Sequence, residues 1–410
     1  MPPSSAAAMR GLLDAARAFR AAPLPLHLTL GNEAADADSL VGALAHALFL
    51  AAQPAPARAE LIVPVLSCAR ADFPLRREAG FILERWLGAP ALAACAFADD
   101  VGALAPPAGA ALTLVDHNRL RGPLARAGWD AHVGAIVDHH LDEGAHAHVA
   151  GAARCIAFDA AAMRGAGSAC SLVAANFLAA ARGALDAPLA EALLSVIALD
   201  TIGMSALKAT ERDAAAVAGL LGVLRAARGA GAPTVESLFA ELNALRSDRA
   251  WWLSLAPRAA LGLDFKGFDF AGGGLLGTSA LMVGALDFFR HGGGSGGGGG
   301  GDCAGEARLA EAAAFARERG CSLLVVMSQV VAPEVARECV LVPVGSDGQR
   351  LVDGAAARLL READFGLEEA AGEGGRAALA LGARAFRQRN LAHTRKSLAP
   401  FLVRALGEIA

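Results

Sequence analysis

The chain has no tyrosine, few aromatic residues of any kind (5%) and little lysine, so arginine carries nearly all of its positive charge. Positive charge is not in excess either: Lys+Arg 37 against Asp+Glu 41 gives a net charge of -4. That balance argues against a general nucleic-acid binder, and any anionic ligand has to be met by a local cluster of cations. The seven cysteines (68, 95, 155, 170, 303, 321, 339) show neither CxxC spacing nor a compact framework, and their number is odd. Reduced thiols in a cytoplasmic protein follow. No window approaches the roughly 18–20 uninterrupted apolar residues of a membrane span, so no membrane partner is expected. The opening run MPPSSAAAMRGLLDAARAFRAAP is basic and alanine-rich, which leaves organelle targeting as the alternative address. Within it, LLDAARAF reads as a short amphipathic helix feeding the first strand.

What is present is a globular composition, 55% hydrophobic and 19% charged, over 410 residues, too long for one ordinary core. The first half alternates apolar runs with helical patterns. Strands are expected at 26–30, 61–67, 112–115, 133–137 and 155–158, with helices from near Asp38, Pro74 and Leu120. This is the pattern of an α/β domain with a parallel sheet, followed by helix from about Ser168 to Ala227. GAGAP at 229–233 is a Gly/Pro interruption and reads as a linker. The expected division is a domain at 1–228, a linker at 229–235 and a smaller mixed α/β domain at 236–410. The run from Gly292 to Gly301 lacks the fixed glycine spacing and lysine of a phosphate loop and reads as flexible low complexity.

The chemistry-bearing residues stand at the ends of these elements. After LHLTL come Asn32, Asp36 and Asp38; after LTLV comes Asp116 in VDHN; after VGAIV come Asp138, His139 and His140; and ALLSVIALDT ends on Asp200. In an open parallel sheet the loops beyond the carboxyl ends of the strands converge on the ligand site. Each acid has a plain alternative, Asp38 as an N-cap among them. Their joint recurrence favours a divalent cation site, and carboxylates with a few imidazoles suit Mg or Mn better than zinc. Two such ions share carboxylates and support in-line phosphoryl transfer.

GNEAADADS, VDHN, IVDHH and ALDT, in that order, resemble the four motifs of the DHH phosphoesterases, and Thr394-Arg395-Lys396 resembles the substrate-binding signature of the DHHA2 domain. Within that superfamily the chain is most similar to the eukaryotic exopolyphosphatase and prune branch, with family II inorganic pyrophosphatases as cousins. The resemblance implies a metal-binding DHH domain, a DHHA2 substrate domain and an active site in the cleft between them. It implies Asp36, Asp38, Asp116, His139 and Asp200 as ligands of two divalent cations, Mg or Mn, with Asp116 bridging and His140 beside them on metal or substrate phosphate. Asn32 stands where the pyrophosphatases have histidine, and its ligation is open. Asp138 is either a ligand or the partner that orients a histidine, and the role of His117 is open.

The segment from Arg376 to Arg404 holds Arg376, Arg384, Arg387, Arg389, Arg395, Lys396 and Arg404 without an acid, which marks a local anion site. Arg395 and Lys396, at the start of the last helix, are the first candidates for phosphate. His393, Arg384 and Lys208 follow as substrate contacts, with Lys266 a weaker one. GAGSACS at 165–171 offers either N–H groups and Ser168 to phosphate or an ordinary helix cap. The expected activity is metal-dependent hydrolysis of terminal phosphate from inorganic polyphosphate, with Asp116, His139, His140, Arg395 and Lys396 in the reaction. The alternatives are a manganese- or cobalt-type pyrophosphatase, or a short-chain polyphosphatase or phosphodiesterase acting partly through binding partners. Polyphosphate or pyrophosphate is the expected small-molecule partner, and the chain is expected to be a monomer or weak dimer.

Overall fold

The near-continuous apolar runs of the first half build one sheet. Its strands are β1 (Leu26–Leu30), β2 (Leu61–Leu66), β3 (Ala96–Phe97), β4 (Ala111–Val115), β5 (Val133–Asp138) and β6 (Arg154–Ile156), in the order β3-β2-β1-β4-β5-β6 and parallel throughout. In this computed structural model the described residues are 3–17, 19, 25–53, 60–180, 185–291, 301–330, 336–370 and 381–409. Arg376 and residues 292–300 of the glycine run lie outside them.

Strands covered on both faces are apolar at nearly every position, which is why these runs do not alternate. Val63, Leu28 and Leu112 sit in register across β2, β1 and β4, and all three are fully buried. Each contributes about 2 kcal/mol of apolar burial. The strand order reverses between β1 and β4, and in an open parallel sheet that switch point is where the carboxyl-end loops separate and leave a crevice. Asn32 to Asp38 follow β1, Asp116 follows β4, and Asp138 ends β5.

The helices Ala37–Ala51, Ala169–Ala180, Ala187–Asp200 and Glu211–Arg228 pack into the main core of this unit. The stretch Glu211–Gly231 is long and apolar enough, by length and composition only, to cross a membrane. Its Ala216, Val217, Leu220 and Leu224 are buried in the core. The chain divides at Leu245/Arg246, one helix later than the Gly/Pro interruption suggests. The reason is packing: the helix Val235–Arg246 adds Val235, Leu238 and Leu242 to the first unit's core, and 229–231 is only a 3-10 turn between two of its helices.

The second unit, Arg246–Ala410, has a mixed sheet in the order Leu367–Glu369, Arg384–Gln388, Ala336–Pro343, Leu323–Val330, Gly274–Leu281, Phe265–Phe270. Only Gly274–Leu281 and Leu323–Val330 pair in parallel. The helices Gly348–Arg361 and Arg395–Gly407 cover one face, burying Leu351, Val352, Leu359, Leu398, Leu402 and Leu406. The helix Gly348–Arg361 and the strands Leu367–Glu369 and Arg384–Gln388 were not legible in the sequence. Arg384–Gln388 (RAFRQ) is hidden by its charge, yet Ala385 and Phe386 are buried and Arg387 lies opposite Glu338 and Glu368.

Candidate metal centre

The segment after β1 reaches its position through close backbone packing. A Cβ on Gly31 would come within 2.6 Å of Ser39 Cβ, so only glycine lets the strand meet the helix there. Asp36 is the N-cap of the helix Ala37–Ala51: its Oδ1 accepts from Ser39 N–H at 3.0 Å. The cap is therefore Asp36 and not Asp38, which frees Asp38 to point inward from the first helical turn. Asp38, 2% exposed, accepts from Ser168 Oγ (2.8 Å), Ala169 N–H (2.6 Å) and Cys170 N–H (2.8 Å). These are the donors that the sequence offered to phosphate at 165–171; the structure gives them to a carboxylate instead.

Asp116 follows β4 with φ 66°, a left-handed conformation that costs a non-glycine residue on the order of 1 kcal/mol and that aspartate tolerates better than most. It is 2% exposed, and its Oδ2 accepts from Asn32 Nδ2 and Ser39 Oγ, both at 2.7 Å. Asn32 is thus a hydrogen-bond donor to Asp116, while its own Oδ1 accepts from Ala34 N–H at 2.9 Å. Both ends of the amide are engaged in hydrogen bonds.

His139 Nδ1 lies 2.7 Å from Ala166 O, and a carbonyl only accepts, so the ring proton sits on Nδ1. Nε2 then presents its lone pair 3.1 Å from Asp116 Oδ1 and 3.8 Å from Asp38 Oδ2, all three side chains being buried. A lone pair facing two carboxylates in a buried site requires positive charge between them, either a proton or a cation. The fixing of one histidine nitrogen by a carbonyl is the usual partner arrangement of a metal-ligating histidine. Asp116, His139 and His140 each offer a ligand atom within 4.8 Å of the others, so the donor set fits a hard divalent ion.

Asp138 is fully buried and engaged at both oxygens. Oδ1 accepts from the His139 and His140 backbone N–H groups and from His140 Nδ1 (2.9 Å), and Oδ2 from Asn118 Nδ2 (2.5 Å). Burial alone would raise its pKa, but the adjacent His140 and His139 rings and Asn118 hold it well below the usual carboxylate range. It orients His140, and both of its oxygens already accept hydrogen bonds. Asp200 ends the helix Ala187–Asp200, followed by left-handed backbone at Ile202, Gly203 and Met204. Burial and the charges of Asp38, Asp200 and Asp116 together drive the Cys170 thiol well above its ordinary pKa. His117 Nδ1 lies 3.0 Å from Val115 O.

Most of the basic candidates belong to the second unit, where acids meet several of them. Arg395, the first residue of its helix, donates to Asp264 O (2.8 Å) and Asp264 Oδ1 (2.7 Å). Arg384 pairs with Glu369 and Asp353, Arg389 with Glu368, and His393 with Asp364 at 2.9 Å. The segment itself holds no acid, and the counter-charges come from 264, 353, 364, 368 and 369. Lys396 is exposed and Lys208 half-buried. Sequence reasoning also missed Ser39, Asn118 and Asp264. Ser39 and Asn118 stand inside the motifs DADS and VDHN, where their side-chain donors were a readable signal; Asp264 carries none.

No family model matches the chain. It is 34% identical over 212 residues to the exopolyphosphatase PRUNE1 of Rattus norvegicus and to that of Bos taurus, and 32% identical over 210 residues to that of Homo sapiens. Each match spans 50% of this chain and 43% of the relative, less than half of that protein's length. The crystal structure of a Methanococcus jannaschii protein assigned to the family II inorganic pyrophosphatases superposes with a TM-score of 0.57 at 19% identity, covering 93% of this chain and 99% of the other. That likeness shows the α/β fold of both units. In its ordered motifs, its PRUNE1 relatives and this fold, the chain is similar to the prune branch of the DHH superfamily.

Proposed function

We propose that the protein is a metal-dependent hydrolase of phosphoric anhydrides that removes terminal phosphate from inorganic polyphosphate. The observation that carries it is the lone pair of His139 Nε2 set against the carboxylates of Asp116 and Asp38. The PRUNE1 relatives, named exopolyphosphatases, support the choice of substrate.

Asp38, Asp116, His139 and Asp200, with Asp36 across Ser39, would hold two divalent ions, Mg or Mn. Bound there, such ions lower the pKa of water and offset the charge of the phosphate. The chain's own residues do the rest. Asn32 and Ser39 fix Asp116 Oδ2; Ala166 O fixes the His139 tautomer; Asp138 fixes His140 through Nδ1 and leaves Nε2 as that ring's other nitrogen for a substrate oxygen or its proton. Water adds to the terminal phosphorus in line, the bridging P–O bond breaks, orthophosphate leaves, and the bridge oxygen stays with the shortened chain. Arg395, Lys396 and Lys208 are assigned to phosphate oxygens. For Arg384, Arg395 and His393 that role requires exchanging carboxylate partners for phosphate. The free thiols at Cys68, Cys95, Cys155, Cys170, Cys321 and Cys339 support a reducing compartment, the cytoplasm.

The likeness to a pyrophosphatase fold gives the second reading, in which diphosphate is the substrate. Orthophosphate release from diphosphate, tripolyphosphate and long polyphosphate, each with Mg and with Mn, decides between them. Release from the longer chains supports the proposal, cleavage of diphosphate alone replaces it, and folded metal-loaded protein inert on all three ends it.

A further inference from the structure

The turn 165–170 is the wall against which the cluster is built. Ala166 O takes the His139 Nδ1 proton, and Ser168, Ala169 and Cys170 donate to Asp38. Gly165 lies close enough that a Cβ there would come within 2.2 Å of His139 O. This turn is fixed in turn by a carboxylate outside the motifs.

Asp213, fully buried, accepts four hydrogen bonds: from Gly167 N–H (2.8 Å), Ser171 Oγ (2.6 Å), Thr210 N–H (2.7 Å) and Thr210 Oγ1 (2.7 Å). The one from Thr210 N–H belongs to the capping box of the helix Glu211–Arg228, and the one from Thr210 Oγ1 joins the same two residues. The two from Gly167 and Ser171 do not cap that helix; they bracket residues 168–170 on either side. A Cβ on Gly167 would meet Thr201 Cγ2 at 2.5 Å, Asp213 Oδ2 at 3.1 Å and Lys208 O at 3.2 Å, so the turn is pressed directly onto the segment between Asp200 and Thr210. Burial would raise the Asp213 carboxyl, but its donors from Ser171, Gly167 and Thr210 hold it below the ordinary range, and it stays an anion.

We propose that Asp213 is a positioning residue that sets the cation affinity of Asp38 and His139 by fixing the turn 166–170 against the segment carrying Asp200 and Lys208. It touches neither ion nor substrate, and it acts on three ligands at once: on His139 through Ala166 O, on Asp38 through the donors at 168–170, and on Asp200 through the packed segment. The inference rests on the metal-binding reading above.

The test is calorimetric titration of Mn into metal-free full-length protein, with the melting temperature of each variant measured in EDTA. Asp213→Asn keeps the shape but sets an amide N–H2 among the four donors; Ser171→Ala removes one bracketing donor; Thr210→Val removes one capping donor and leaves the bracket. Asp213→Asn is expected to weaken Mn binding about 10-fold or more, the usual effect of losing a residue that orients ligands. Ser171→Ala should weaken it less, and Thr210→Val should lower the melting temperature with Mn affinity unchanged. If Asp213→Asn and Ser171→Ala bind Mn as the wild type does, whatever their melting temperatures, Asp213 is only a helix cap and the inference is overturned. If Thr210→Val weakens Mn binding as much as Asp213→Asn, loss of stability explains the effect and the inference is overturned as well. Wild-type protein that binds no Mn would remove the metal reading itself.

Discussion

At the carboxyl ends of β1, β4 and β5 the acids Asp38, Asp116 and Asp138 are almost wholly buried and are met by hydroxyls, amides and two imidazoles. On the strand Arg384–Gln388 and the turn after it, the arginines are partly exposed and acids meet Arg384, Arg389 and Arg395. The first region gathers negative charge where it is expensive and leaves a cation to offset it; the second neutralises its charge from within its own unit. A buried charge cluster is thus a stronger pointer to a ligand than a run of like charges in sequence, because water and neighbouring acids satisfy the run at little cost.

Asp116→Ala tests the first side of this contrast. If Asp116 bridges two ions as proposed, its removal should forfeit several kcal/mol of transition-state stabilisation, a factor on the order of 10³ in phosphate release. The assay is kcat on tripolyphosphate; a variant within a few-fold of wild type would break the contrast.

Not every buried imidazole of the first unit faces an acid, and His46 sharpens the point. It is 5% exposed, its Nδ1 has no hydrogen-bond partner, and burial, with His27 nearby, lowers its pKa from 6.5 to about 4. The folded state therefore resists protonation that the unfolded state accepts. The stability this neutral ring permits is fully present above pH 6.5 and is lost as pH falls through the window from 6.5 to about 4. Urea unfolding in EDTA at pH 7.5 and 4.5 should show wild type losing roughly 2–3 kcal/mol more than His46→Phe. Equal losses would show that His46 does not titrate there.

Arg395→Gln and Asp264→Asn address the second side. Burial would raise the Asp264 carboxyl, but Arg395 and Lys266 hold it low, so acid and arginine are locked as a charged pair. If Arg395 also serves phosphate, Arg395→Gln should raise KM for tripolyphosphate about 10-fold, the value of one charge-assisted hydrogen bond. Asp264→Asn, by releasing the guanidinium, should lower that KM. A stability loss in both variants with KM unmoved would make the pair purely structural.

Arg384→Gln is expected to do least. Its partners Glu369 and Asp353 are half exposed, and pairs of that kind are worth at most about 1 kcal/mol. Unchanged KM and a small shift in denaturation midpoint fit the account; a large rise in KM would restore the basic run as an anion track.

Where side chain and backbone signal coincide locally, the sequence was legible. β1, β2, β4 and β5 fall where their apolar runs stand, and Asp116, Asp138, His139 and His140 lie at the strand ends that an open parallel sheet makes into a site. Roles set by distant partners were not legible. Either acid of Asp36-Ala37-Asp38 could cap, and the choice is made by N–H groups at 169 and 170 that reach Asp38. The hydrogen bonds of Asn32 to Asp116 and from Ala34 were likewise set by the fold. The helix Val235–Arg246 belongs to the first unit because of Val235, Leu238 and Leu242, a matter of which core buries them and not of the Gly/Pro turn before it.

The central claim is that the buried acids and imidazoles at the β1–β4 switch point seat paired divalent cations. Anomalous scattering from crystals grown with Mn measures this directly. Two peaks about 3.5–4 Å apart, both touching Asp116 and one touching His139 Nε2, are the predicted result. Density with no anomalous peak at Asp116, and His139 Nε2 simply protonated against that carboxylate, would contradict it.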